Sequence, residues 1–143
     1  MTEPARVAEV MGGLLVLGTR IASIRELSEV VAGGLPKQAL RSTAQRVYRQ
    51  GKDANQLMRK VVPEATYKRR TRLTPAESER TERLARVIAA AEHVWNDRHD
   101  AREWLTSPHP ELNGQTPIEC GMTELGARRV EELLDRMFYG LPA

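Results

Sequence analysis

LTPAESERTERLARVIAAAEHVW (73–95) decides the fold. Thr74, Pro75 and Glu77 form a strong helix start. A threonine oxygen can accept the third residue's N–H, proline suits the first helical position, and Glu77 stands where a capping box needs it. Leu84, Val87, Ile88, Ala91, Val94 and Trp95 then recur at three- and four-residue spacing. That spacing is the apolar stripe of one long helix.

Working outward, nearly every periodic segment has the same period. Downstream, Asp97 can cap a helix holding Ala101, Trp104 and Leu105. Core packing is the expected role of both Trp95 and Trp104. SPHPELNGQ (107–115) reads as a loop without regular structure, because two prolines and Asn-Gly interrupt it. Thr116-Pro117-Ile118-Glu119 repeats the Thr-Pro start. Thr123 or Glu124 begins a last helix with Ala127, Val130, Leu133, Leu134 and Met137 on one side. Upstream, the spacing predicts an amphipathic helix over residues 6–17 and another through Ile24, Leu27, Val30 and Val31 that stops at Gly33-Gly34. A helix opened by Pro36 should run to about Gln50, followed by a short one from Asp53 to Val61 and a fourth opened by Pro63. No β pattern appears, so the chain reads all-α.

At 143 residues the chain can bury a core without staples. Its 41% hydrophobic and 29% charged residues are those of an ordinary globular protein. GGLLVLG (12–18) is too short to span a bilayer, and a single cysteine, Cys120, excludes an internal disulfide. A reducing cytoplasm fits.

The net charge of +3 is unevenly spread. Residues 37–72 hold eleven basic and two acidic side chains, a net of +9, whereas residues 73–143 hold eight basic and thirteen acidic, a net of −5. The middle segment is therefore a candidate for polyanion binding. Within it, DANQLMRKVVPEATYKRRTR (53–72) has the layout of a helix-turn-helix, two helices joined at Val61-Val62-Pro63. Glu64, Thr66 and Tyr67 would lie early in the second helix, near base edges. Lys68, Arg69, Arg70 and Arg72 would lie nearer the phosphates. Two half-sites on a duplex imply a dimer, and residues 6–17 could supply its contact.

Catalytic and metal chemistry find little to work with. His99 and Asp100 are adjacent and should diverge by about 100° on a helix, while His109 lies across a proline-bracketed loop. Ser107 lacks a nucleophile-elbow glycine, Cys120 has apolar neighbours, and no glycine loop could cradle phosphate. The expectation is a protein with no catalytic residues, no metal and no cofactor.

From Leu84 to Ala143 the chain resembles the toxin-binding domain of the Xre/MbcA/ParS class of bacterial antitoxins. RLARVIAAAEHVWNDRHDAREWLTSPHPELNGQTPIE (83–119) carries the family's helix, acidic break, Ala-x-x-Trp-Leu helix, Pro-x-Leu-x-Gly loop and Thr-Pro-x-Glu start. TELGARRVEELLDRMFYGLPA (123–143) carries its Thr-x-x-Gly-Ala and Tyr-Gly tail. Here His109 replaces a usual asparagine, Asn113 a frequent glycine, and Cys120-Gly121-Met122 the usual Leu-Leu-Ala. GLPKQAL (34–40) and RLTPAESERTERLARV (72–87) fit the family's Xre-like N-terminal part. The resemblance implies two parts, residues 1–72 with an Xre-like helix-turn-helix and 73–143 as a small helical toxin-binding domain. It also implies a partner, a RES-domain toxin that consumes NAD or uses it for ADP-ribosylation, and autorepression through operator DNA.

The residues themselves add an unusual tail. Phe138, Tyr139, Gly140, Leu141, Pro142 and Ala143 are apolar or aromatic where chain ends are ordinarily polar. Phe138 and Tyr139 could anchor a partner, with the last residues reaching over its cleft. Arg128 and Arg129, against the dipole near the start of their helix, are candidates for an acidic partner. The competing readings are a stand-alone regulator whose C-terminal half only dimerises and an adaptor with incidental charge.

Overall fold

In the computed structural model, residues 2–140 are described and form ten α-helices with no strand among them. They are α1 Pro4–Val10, α2 Gly13–Leu17, α3 Ile24–Ala32, α4 Gln38–Val47, α5 Gly51–Val61, α6 Glu64–Arg69, α7 Pro75–Trp95, α8 Arg98–Leu105, α9 Pro117–Cys120 and α10 Glu124–Phe138. The all-α expectation holds.

Helix α7 runs through the middle, against α1, α3, α4, α5, α8, α9 and α10. Its start is the predicted one: Thr74 Oγ1 accepts from Glu77 N at 3.1 Å, and the Glu77 carboxylate accepts from Thr74 N at 2.9 Å. The sequence stripe understated its burial. From Leu84 to Ala91 every residue except Arg86 is buried, Ala85, Ala89 and Ala90 included. A helix apolar on all sides is a central one, and the alanines let neighbours approach closely. Where the packing ends, so does the stripe: Trp95 is 37% exposed, not in the core as its spacing suggested, whereas Trp104 packs partly buried against it.

Other boundaries moved for identifiable reasons. The single N-terminal helix expected over 6–17 is two, because Gly12 and Gly13 both take positive φ, 108° and 62°. Val7, Ala8, Val10 and Met11 enter the core, which occupies much of the apolar face considered for self-association; Leu14 and Leu15 remain exposed. Pro36 does not open α4. It lies in a short extended pairing with Arg72, where Leu73 N donates to Leu35 O at 2.8 Å and Lys37 N to Thr71 O at 3.1 Å. The loop 107–115 does contain regular structure. Pro110–Leu112 is a 3-10 turn capped by His109 Nδ1, and it drives Leu112 into the core.

Helix α10 lies along α7 with Glu124 beside Arg83, Glu131 beside Arg86 and Phe138 beside His93, so the two run parallel. The short helix α9 joins them through a tight corner. Thr123 caps α10 by accepting from Gly126 N at 3.0 Å, and a side chain at 126 would overlap the Cys120 carbonyl. This gives the Thr-x-x-Gly-Ala signature a steric cause. Gly126→Ala should therefore destabilise the chain by about 3 kcal/mol in urea unfolding, against well under 1 kcal/mol for an exposed change such as Glu132→Ala.

Candidate functional sites

The basic segment presents a helix-turn-helix. Ala54, Leu57, Met58 and Val61 bury one face of α5; Val62 and Pro63 turn the chain, and α6 follows. Glu64, Ala65, Lys68 and Arg69 are exposed along α6, and Thr66 is half-buried. Tyr67 is not at the surface as its position in the second helix suggested. It is 8% exposed, and its hydroxyl donates to Lys37 O at 3.1 Å. Burial pushes its phenol up, with Arg41 pulling the other way.

Two of the expected phosphate contacts are already engaged. Arg70 makes a two-pronged bond to Glu77, Nη1 to Oε1 at 2.7 Å and Nη2 to Oε2 at 3.0 Å. Burial raises the Glu77 carboxyl, but hydrogen bonds from Thr74 and Arg70 outweigh it and hold the group below the usual range. Arg72 Nη1 donates to Gly34 O at 2.8 Å. The first bond ties the end of α6 to the start of α7 and the second ties it to the segment between α3 and α4, leaving Lys68 and Arg69 as the projecting charges of the expected set. Arg69 folds back over its own helix, 3.4 Å from Thr66 Oγ1. Reading the chain one helix at a time missed Arg41 and Arg59, which α4 and α5 bring beside α6.

At the other end of α7 the last turn of α10 carries an aromatic cluster. Phe138 stacks on His93 with ring centres 5.0 Å apart and planes at 28°, and Tyr139 meets Phe138 edge-on at 5.2 Å. Phe138 is 49% and Tyr139 68% exposed. Gly140 ends the described chain at φ 68°; Leu141, Pro142 and Ala143 lie outside the described residues. Arg128 is exposed and 3.8 Å from Glu124 one turn before it. Arg129 instead donates to Glu111 O at 2.8 Å and braces the 3-10 turn. Leu125, exposed one turn from both arginines, was not singled out in the sequence. Beneath this face Arg86 sits among Glu82, Glu124 and Glu131. Burial raises the Glu82 and Glu131 carboxyls, and Arg86 draws both back down.

His99, Asp100 and Glu103 come closer than adjacent helical positions suggested, with candidate ligand atoms within 4.8 Å of one another. All three are exposed, and His99 Nε2 lies 3.2 Å from Glu103 one turn on, as a solvated surface pair would. Cys120 is buried. No helix among the described residues is long and apolar enough to cross a membrane.

Two family profiles match this arrangement. The antitoxin Xre-like helix-turn-helix domain matches residues 26–86, and the antitoxin Xre/MbcA/ParS C-terminal toxin-binding domain matches residues 90–140. The chain belongs to the Xre-type antitoxin family. Neither matched domain is an enzyme. The chain is similar to the protein named Antitoxin Xre of Pseudomonas putida, 35% identical over 84 residues that take in 56% of this chain and 53% of the relative. It is also similar to the Antitoxin Xre of Yersinia enterocolitica, 37% identical over 71 residues, 49% of this chain and 48% of that one. The chain thus spans about half the length of the curated relatives it matches. The two matched stretches come close together within α7, so both matched domains share one central helix.

The two ends should respond differently to truncation. Tyr67→Ala removes a buried ring and should cost about 3 kcal/mol. Tyr139→Ala should stay within about 0.5 kcal/mol of the parent, both read from urea midpoints.

Proposed function

We propose that this antitoxin binds and inhibits a cognate RES-domain toxin, one that consumes NAD or uses it for ADP-ribosylation, in a type II toxin–antitoxin system of the cytoplasm. The observation that carries the reading is the exposed pair Phe138 and Tyr139, held on His93 at the end of the matched toxin-binding domain. Large aromatic side chains fixed at a surface cost little further ordering when a partner covers them, which is why such residues anchor interfaces. Gly140 to Ala143 continue from that anchor and would reach over the toxin's NAD cleft. Arg128, with Leu125 beside it, would extend the contact along α10, and Arg129 would hold the 3-10 turn against it.

The basic half has a second role in this account. The helix-turn-helix binds operator DNA as a homodimer and represses the gene pair, with Thr66, Lys68 and Arg69 nearest the duplex. Residues 1–72 would thus serve DNA and 73–143 the toxin, the dimer standing within a larger complex.

Co-expression with the neighbouring gene tests the inhibitory role. The full chain should co-purify with that gene's product and preserve cellular NAD, and NAD should fall when this chain is absent. Removing residues 140–143 should release the toxin's activity while the thermal midpoint stays unchanged. Full inhibition by the truncated chain would exclude the tail from the mechanism. Without a complex or an NAD effect, only a DNA-binding regulator would remain.

A further inference from the structure

A groove opens between the first turn of α4, the outer side of α5, and α6. It is lined by Lys37, Arg41, Arg59, Glu64, Tyr67 and Lys68. The Tyr67 ring forms part of its wall, with Lys37 Nζ 5.0 Å and Arg41 Cζ 5.5 Å from the ring centre. Residues 37 and 67 are locked reciprocally: Tyr67 Oη donates to Lys37 O and Lys37 Nζ donates to Tyr67 O, each at 3.1 Å. One ring therefore serves two cations, and like charges gathered beside it repel each other.

The remaining charges of the groove leave that repulsion largely uncompensated. Arg41 and Arg59 are exposed and enter no ion pair among the described residues, whereas Arg46, Arg70, Arg83 and Arg86 each end on a carboxylate. The groove's carboxylate, Glu64, is drawn toward Lys68 at 3.8 Å. Cations converging on a concave surface focus a field for an anion.

We infer that this groove seats a backbone phosphate of duplex DNA, gripped by Lys37 just before α4, by Arg41 within it and by Arg59 from α5. The inference rests on the DNA-binding role proposed above. Duplex DNA fits better than an acidic protein surface because the groove is continuous with the exposed side of α6 through Lys68. A helix that enters the major groove has the phosphate backbone at its flanks, and contacts there fix the register of the whole module.

Phosphate contacts are independent of sequence, so a random-sequence duplex labelled for anisotropy is a sufficient probe. Affinity is measured against salt concentration for the full chain, an Arg41→Gln/Arg59→Gln variant, and a charge-matched control, Arg6→Gln/Arg20→Gln. Each lost phosphate contact lowers the magnitude of the log–log slope by about 0.9. The groove variant should lose about 0.9 from the slope, the share of one phosphate, Arg41→Lys/Arg59→Lys should restore it, and the control should keep the parent value. Equal slopes for parent and groove variant, or equal losses for groove variant and control, would overturn the seat while DNA binding stands. A parent chain with no salt-dependent binding would remove the DNA-binding role, and the seat with it.

Discussion

Everything in this fold depends on the burial of α7. From Leu84 to Ala91 a two-turn stretch is buried everywhere but at Arg86, and helices from both halves of the chain complete their cores on it. Apolar burial at about 25 cal/mol per Å² is the dominant favourable term in folding. Neither half can close its core without this helix. The basic half ends in α7 through the Arg70–Glu77 clamp and the Thr74 cap; the C-terminal half starts from it through α8 and the parallel α10. The same helix therefore separates two surfaces of opposite character, a basic one about α6 and an aromatic one at Phe138.

Much of this was legible in the chain. Each helix start written as Thr-Pro with glutamate two residues after the proline became a capping box, at Thr74 and again at Thr116. Such signals are local, since the cap bonds groups three residues apart. The Asp97 and Thr123 caps succeeded for the same reason. What failed was set at long range. Pro36 fits a helix start by its own geometry, but Arg72 and Leu73 pair with that segment and hold it extended. Trp95 continues an apolar period past the end of the neighbours that would cover it.

The candidate sites divide in the same way. The helix-turn-helix could be read from a turn and a run of cations, yet the run did not reveal which cations were free. Glu77 claims Arg70, Gly34 claims Arg72, and Lys37 draws Tyr67 inward, partners 7, 38 and 30 residues away along the chain. Conversely, Arg41 and Arg59 belong to other helices and join the surface only once α4 and α5 pack against α6. At the end of α10 the aromatic residues were visible in the sequence, but the His93 ring that supports Phe138 was not.

On the proposed function, the two partners would meet opposite ends of one shared helix. Hydrogen exchange measured on the full chain, alone, with duplex DNA and with the product of the neighbouring gene, tests it most directly. DNA should slow exchange in α5 and α6, and the protein partner should slow it in the last turns of α10. Protection of α5 and α6 by both partners, with the end of α10 unchanged, would contradict it.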